Sequence, residues 1–345
     1  MKKIKIGNKF IGEGQACFII AEAGINHNGD VSLARRLVDV AREAGADAVK
    51  FQTFKAEELV SRKSPKAKHV EGEASFFQMV KNLELGREDF KQIAEYAREK
   101  GIIFLSTPLG EESVELLYDL GVPAYKIASG DITNIPLLRY IALKRLPIIL
   151  STGMANLGEI EEALDAIYST GNEEVILLHC VASYPTPLEE VNLQVINTLK
   201  QAFQLPVGFS DHTTSTIVPI VAVALGANVI EKHFTLDKNL PGPDHKASAS
   251  PDELKRIVEG VREFETASGS PIKKCIKSEE ETKAAFRRSI VAKIDIPRGT
   301  KITKDMLAIR RPGTGIPPKY LDAVVGRIAK NDIEVDGVLT WAQVG

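Results

Sequence analysis

Two short stretches end in histidine: Gly208-Phe209-Ser210-Asp211-His212 and Val229-Ile230-Glu231-Lys232-His233-Phe234. Each begins apolar and turns polar at its C-terminal end. The segment between them, Thr214 to Ala227, reads as a helix, so the three form one parallel βαβ unit. Imidazoles at the same end of neighbouring parallel strands are placed to hold one divalent metal ion. By strand parity His212 shares a face with Ser210, and His233 with Glu231. Two protein nitrogens leave coordination positions for water and a substrate oxygen, the layout of a Lewis-acid site rather than a structural one. The same pair also reads as two unrelated polar strand ends, and only the rest of the chain can separate these readings.

Lys50 and Lys126 interrupt apolar runs. A buried ammonium needs an anionic partner. That partner is either a bound phosphate or carboxylate, with Ser106, Thr107, Ser129, Ser151 and Ser210 as neutral donors, or an internal carboxylate such as Glu22. No Walker A or GxGxxG motif follows a strand; Gly12-Glu13-Gly14 lies in a hairpin. His179 reads as a packed interior residue and His69 as solvated in a charged loop. His27, after Asn26 at a loop-forming strand end, is a candidate substrate contact. Cys180 has no base arranged to activate it and reads as a small core thiol. Asp244, in the proline-rich loop Leu240-Pro241-Gly242-Pro243-Asp244-His245, is placed to accept hydrogen bonds from sugar hydroxyls, or is a plain loop carboxylate.

The elements that must position these groups follow a rhythm. Residues 3–16 read as a hairpin able to plug one end of a domain. Eight apolar runs follow, beginning at Phe18, Ala48, Ile102, Tyr125, Pro147, Val175, Gly208 and Val229, and each precedes a helix-like segment. Those segments are Asp30–Ala44, Glu88–Lys100, Glu111–Leu120, Ile135–Lys144, Leu157–Ser169, Leu188–Phe203, Thr214–Ala227 and Pro251–Thr266. Near-continuous apolar strands alternating with helices give a parallel sheet with a covered outer face. Eight such units close into a (β/α)8 TIM barrel, with a doubly wound open sheet as the alternative. All eight runs turn polar at the C-terminal end, which in such barrels is the active-site face. The expected division is a catalytic barrel over 1–268, a polar linker over 269–285, and a small β-rich module over 286–345 with short strands at Ser289–Ile294, Met306–Arg310 and between Gly326 and Val344.

The 345 residues, 44% hydrophobic and 26% charged, suit a soluble protein with a large core. A net charge of −2 supplies no basic field for nucleic acid. No apolar run approaches the ~20 residues needed to span a bilayer, and no signal peptide is evident. Three cysteines without a CxxC pair suit a reducing cytoplasm.

Taken together, the motifs closely resemble the sialic acid synthases, which join phosphoenolpyruvate to an N-acetylated amino sugar. The matching stretches include Ile20 to Gly29, Val49-Lys50-Phe51-Gln52, Ser106-Thr107-Pro108, Tyr125 to Gly130, Leu150 to Met154, Gly208 to His212, Glu231 to Thr235 and Pro241 to His245. The tail, with Arg311-Pro312-Gly313-Thr314-Gly315, resembles the antifreeze-like (SAF) domain of these enzymes. The resemblance implies His212 and His233 as metal ligands, with Mn2+ the usual ion and Mg2+ or Co2+ as alternatives. It implies a phosphoenolpyruvate pocket from Lys50, Thr107, Lys126, Ser129, Ser151 and Ser210. It places Glu22 near the reacting aldehyde, Gln52, Asp131, Tyr184 and Asp244 on the substrate side, and Arg311 as a residue lent by the partner subunit of a domain-swapped homodimer. Asp131 stands where the family more often has glutamate, and Val181-Ala182-Ser183-Tyr184 departs from the neuraminate pattern. N-acetylmannosamine and the precursors of legionaminic or pseudaminic acid are therefore all candidate acceptors, and some spore-coat polysaccharide homologues look similar here. A carbohydrate-binding or assembly protein with an inactive barrel is the remote alternative.

Overall fold

The computed structural model describes residues 2–64 and 75–345, so His69 lies outside the described residues. The chain divides into two compact units, the first ending at Gly269 and the second spanning Ser270–Gly345.

The first unit opens with the hairpin β1 (Ile4–Ile6) and β2 (Lys9–Ile11). Eight parallel strands follow: β3 (Phe18–Gly24), β4 (Ala48–Thr53), β5 (Ile103–Pro108), β6 (Tyr125–Ile127), β7 (Ile148–Ser151), β8 (Val175–Cys180), β9 (Val207–Asp211) and β10 (Val229–His233). Their hydrogen-bonded order is β5-β4-β3-β10-β9-β8-β7-β6, so β10 pairs back onto β3 and the ends of the order are β5 and β6. This is a nearly closed TIM-like barrel.

Residues of one parity face the helices. Ile19, Ala21, Val49, Phe51, Leu177 and Ile230 belong to the outer core, with Leu37 and Val38 of the helix Val31–Glu43. That helix shows how the sequence specifies its own bounds. Asp30 accepts from the Ser32 and Leu33 amides, Ala34, Leu37, Val38 and Ala41 form one buried stripe, and Gly45 follows at φ +83°. Residues of the other parity fill the barrel. Phe18, Ile20, Ala48, Leu105, Ile149 and Leu178 pack with Ile4, Ile6 and Ile11 of the hairpin, which closes the N-terminal end of the barrel.

Two helices depart from their expected length. Leu188–Phe203 splits into a 3-10 turn, Leu188–Glu190, and a helix, Val195–Phe203, because Asn192 adopts a left-handed φ of 48° between them. In Thr214–Ala227 the helix covers only Val218–Ala224. The Thr213 and Ser215 hydroxyls take the Ser215 and Ile217 amides into a turn, and Pro219 falls in the first helical turn.

In the second unit the segment expected to be a linker carries a short helix, Glu280–Phe286. β11 (Ser289–Ala292) pairs antiparallel with β12 (Leu307–Arg310), over a small core that includes Ile290, Ile296, Ile316, Ile333 and Leu339. Beyond Gly326 the chain makes single bridges such as Ile296 to Ile333 and Ala329 to Val344 rather than continuous strands. Left-handed turns at Gly326 (φ +91°) and Asp336 (φ +62°) interrupt the extended backbone there. No helix among the described residues is long and apolar enough to cross a membrane.

Candidate active site at the barrel mouth

The site arises from one rule of strand geometry. Two residues after an inward apolar or small residue, each barrel strand places a second inward residue one layer nearer the mouth. Ile20 is followed by Glu22, Ala48 by Lys50, Leu105 by Thr107, Ala124 by Lys126, Ile149 by Ser151, Leu178 by Cys180, Gly208 by Ser210 and Val229 by Glu231. All eight of these upper residues are buried and line a cavity of about 250 Å3. One step further out stand Gln52, Leu109, Ala128, Ala182, His212 and His233, on the same cavity. Gly208 is required beneath this ring, because a Cβ there would lie 2.5 Å from the Val229 carbonyl oxygen.

The ring is an alternating charge network. Lys50 Nζ lies 2.7 Å from Glu22 Oε2 and 3.7 Å from Glu231 Oε2, and donates to Thr107 Oγ1 at 3.0 Å. Lys126 Nζ lies 3.5 Å from Glu231 Oε1 and donates to Ser151 Oγ at 2.7 Å and to the Ile127 carbonyl at 3.2 Å. Ser210 donates to Glu231 Oε1 at 2.9 Å, and Gln52 Nε2 donates to Glu22 Oε1 at 3.4 Å. Both ammonium groups therefore have internal carboxylate partners. The Lys50–Glu22 pair weighed from sequence is present, and Glu231, which strand parity set on the face of His233, bridges the two lysines.

The two carboxyl groups are driven apart. Burial raises the Glu22 pKa from 4.5 to about 7 against the pull of Lys50, with the Glu231 charge adding to the rise. Burial acts the same way on Glu231, but Lys126, Lys50 and the Ser210 hydroxyl outweigh it and hold that group at about 2. Glu231 is thus the fixed anion of the site, and Glu22 is the group able to carry or release a proton near neutrality. Burial lowers the Lys126 pKa, whereas for Lys50 the two carboxylates outweigh burial and raise it.

The histidines stand at the rim. His212 Nδ1 donates to the Val181 carbonyl at 2.7 Å, because a carbonyl can only accept; Nε2 of the neutral ring is left as a lone-pair donor. His233 Nδ1 is buried without a hydrogen-bond partner among the described residues, 3.9 Å from Asp244 Oδ2. The two ring centroids are 5.4 Å apart, and the Tyr184 ring stacks 4.0 Å from His212 and meets His233 edge-on at 5.8 Å. Burial lowers the pKa of both histidines, which keeps them in the neutral, metal-ligating form. An orphaned ring nitrogen beside a second imidazole with a free lone pair fits a divalent cation. A third His, Cys, Asp or Glu grouped closely enough to complete a ligand set by itself is absent among the described residues.

Other residues singled out from the sequence fall as follows. Ser129 Oγ lines the cavity and accepts the Gly153 amide at 3.0 Å. A Cβ on Gly153 would stand 2.8 Å from Ser129 Oγ, so any larger residue there would displace that hydroxyl. Ser106 is not a donor to the mouth: its parity turns it outward, onto the Thr53 hydroxyl at 2.7 Å. His27 does not line the cavity; it is buried, and its Nδ1 accepts the Gly29 amide. His179 points outward from β8 and bonds the Val191 carbonyl at 2.7 Å. Asp131 ends the 3-10 turn Ser129–Asp131, outside the cavity lining, bonded by Asn134 Nδ2 at 3.2 Å. Burial raises its pKa. Arg311 belongs to the second unit, its guanidinium 4.5 Å over the Phe286 ring. Glu231 lies on the face that strand parity with His233 gives it, although the sequence reading gave it no role, and Cys180, read as a small core thiol, also lines the cavity.

A larger cavity, about 360 Å3, lies near the start of β5, lined by residues such as Asn8, Arg98, Phe104 and Val122. It gathers no group of interacting titratable side chains among the described residues, so the mouth is the candidate site.

Comparison with known proteins agrees with this fold. Residues 37–273 match the model of the NeuB family, and residues 287–345 that of the SAF domain. The chain is 46% identical to the N,N'-diacetyllegionaminic acid synthase of Legionella pneumophila, over 98% of this chain and 97% of that protein. It is 48% identical to the enzyme of the same name from Campylobacter jejuni, over 93% and 98%. The crystal structure of N-acetylneuraminic acid synthetase from Leptospira borgpetersenii, in complex with citrate, superposes with a TM-score of 0.74 at 39% identity, over 81% of this chain and 95% of that one. The chain therefore belongs to the NeuB family, among synthases of sialic-acid-type sugars, and carries a SAF domain at its C-terminal end.

Proposed function

We propose that the barrel mouth condenses phosphoenolpyruvate with the open-chain form of an N-acetylated amino sugar, giving a nine-carbon nonulosonic acid and phosphate. The observation that carries this reading is the placement of Lys50, Lys126, Thr107, Ser151, Ser210 and Ser129 on one cavity directly beneath a histidine pair. Ammonium and hydroxyl donors of this kind suit a phosphate and a carboxylate. The histidine pair suits a divalent ion.

His212 and His233 would hold the divalent ion, with manganese the first choice. When bound, the ion supplies Lewis acidity at the aldehyde oxygen. The chain's own residues do the rest. Lys50 and Lys126 hold the phosphate and carboxylate of the nucleophile and keep its methylene carbon facing the rim. That carbon attacks the aldehyde carbon, and Glu22, protonated near neutrality, gives its proton to the forming alkoxide. Water then adds to the cationic carbon that bears the phosphate and returns one proton to the Glu22 carboxylate; the bond between that carbon and the bridging oxygen breaks, phosphate leaves with the second proton, and the ketone remains. Ser210 keeps Glu231 oriented so that its charge stays between the lysines throughout.

Leu109, Ala128, Ala182 and Met154 form the apolar part of the upper wall. It suits acetamido and deoxy methyl groups, and with the similarity to the diacetyllegionaminic acid synthases it favours a diacetamido, 6-deoxy acceptor. The test is metal-dependent phosphate release from phosphoenolpyruvate with N-acetylmannosamine and its diacetamido 6-deoxy analogue. The reading expects release with at least one of them and a preference for the second. Release without any acceptor, or with neither sugar, contradicts it.

A further inference from the structure

A chain of hydrogen bonds outside the ring ties three loops together at the rim. His245, fully buried, approaches the Thr235 hydroxyl with Nδ1 at 2.6 Å and Asn28 Oδ1 with Nε2 at 3.2 Å. Asn28 Nδ2 donates to the Pro241 carbonyl at 2.8 Å, so Asn28 Oδ1 is an acceptor. The proton of His245 then sits on Nε2, and its Nδ1 at 2.6 Å competes with the Asp237 carbonyl at 3.1 Å for the single Thr235 hydroxyl proton. The directional part of the chain runs from His245 to Asn28 and from Asn28 to the loop carbonyl at Pro241.

The residue next to His245 is Asp244. Its carbonyl accepts from the Ser248 amide at 3.1 Å and the Ser248 hydroxyl at 2.7 Å, and Asn26 Nδ2 donates to that hydroxyl oxygen at 3.0 Å. Asp244 is held on both sides by groups that follow β3 and β10. Gly242 fits the same packing, since a Cβ on it would stand 2.7 Å from His245 Cδ2 and 2.9 Å from Asn28 Oδ1.

We propose that His245 is a positioning residue that fixes Asp244 beside His233 and so governs capture of the acceptor sugar, not of phosphoenolpyruvate. Neither residue is part of the cavity lining: Asp244 meets the site through its carboxylate, 3.9 Å from His233 Nδ1, and His245 touches it only through this loop. The inference rests on the reading of the mouth as an acceptor site, but the clamp can be tested without turnover.

The experiment compares His245→Ala, His245→Gln and Asn28→Gly, which respects the φ of 52° at that position. Backbone amide exchange over residues 239–248 and steady-state KM values for both substrates are measured. For His245→Ala and Asn28→Gly we expect faster exchange in that loop and an acceptor KM raised about tenfold, with the phosphoenolpyruvate KM within about twofold of wild type. Glutamine, whose amide can replace the Nε2–H donor, is expected to recover part of the acceptor KM. If His245→Ala does not fold, Asn28→Gly decides alone. Unchanged exchange overturns the clamp. Faster exchange with both KM values raised equally, or neither raised, overturns the role in acceptor capture. If the wild type makes no product with any acceptor, the acceptor role falls with the proposed reaction, and amide exchange still decides the clamp.

Discussion

Replacing Lys126 by methionine removes one positive charge from the ring and keeps most of the side-chain volume. In the folded protein Nζ is buried, bonded to Ser151 and 3.5 Å from Glu231. A unit charge pair at ~4 Å is worth ~4 kcal/mol at an effective dielectric of ~20, before desolvation of the two groups. The net value of a hydrogen bond to a charged group is smaller, ~1.5–3 kcal/mol. That range corresponds to roughly 10- to 150-fold in a dissociation constant. Glu231 keeps Lys50 and Ser210 as partners. The loss of stability should therefore stay below the ~3–5 kcal/mol expected when a buried charge is left alone. The assay is calorimetric titration of phosphoenolpyruvate into each protein, with initial rates of phosphate release against each substrate. Lys126→Met should weaken phosphoenolpyruvate binding by that factor and leave the acceptor KM within about twofold. Unchanged phosphoenolpyruvate affinity in a folded variant, or an effect confined to the acceptor, would refute the assignment of Lys126 to the anion subsite.

Three further outcomes follow from the same geometry. Glu231 has its folded pKa lowered from 4.5 to about 2, so its stabilisation is present above pH 4.5 and is lost as pH falls toward 2. Glu231→Gln should be less stable than wild type by ~3 kcal/mol at pH 7, with a smaller gap at pH ~3, read by urea unfolding at both pH values; an equal gap at both contradicts it. Glu22, raised to about 7, should give the wild-type kcat a limb that falls as pH rises through that value. Glu22→Gln should lower kcat by ~100-fold or more and abolish the limb, and a limb that persists in the variant assigns it to another group. Lys232 faces outward and pairs with the fully buried Asp211 at 2.7 Å, so Lys232→Met should cost ~3–5 kcal/mol, seen as a lowered Tm, and a Tm unchanged from wild type denies the pair its structural role.

The barrel was legible in the sequence because a parallel strand covered on both faces must be apolar, and these strands stop being apolar where they reach the mouth. Val175–Cys180 was bounded to the residue, and the other strand ends shifted by a few positions. The helix ends were clear where a cap marks them, as at Asp30 and Ser250. They were hidden where hydroxyls compete for backbone amides, as at Thr213 and Ser215. The site residues on strands could be placed by parity, which brings Lys50, Thr107, Lys126, Ser151, Ser210, His212 and His233 onto one cavity. Parity applied to Ser106 would have turned it outward; parity did set Glu231 on the face of His233, but it could not show that this carboxylate bridges the two lysines. What no spacing could supply is which cation meets which carboxylate: Lys50 and Lys126 are far apart in sequence, and their meeting at Glu231 depends on closure of β10 onto β3. Loop residues were least legible, since Asp131 and His27 take their places from local turns rather than from strand direction.

The most direct test of the proposed reaction follows one oxygen atom. Phosphoenolpyruvate labelled with oxygen-18 in the bridging position is incubated with the protein, manganese and the diacetamido 6-deoxy sugar, and the products are weighed by mass spectrometry. The account predicts an unlabelled nine-carbon acid, formed by joining the two substrates, and phosphate that carries the label. Label retained in the three-carbon fragment, or labelled pyruvate with no joined product, would contradict it.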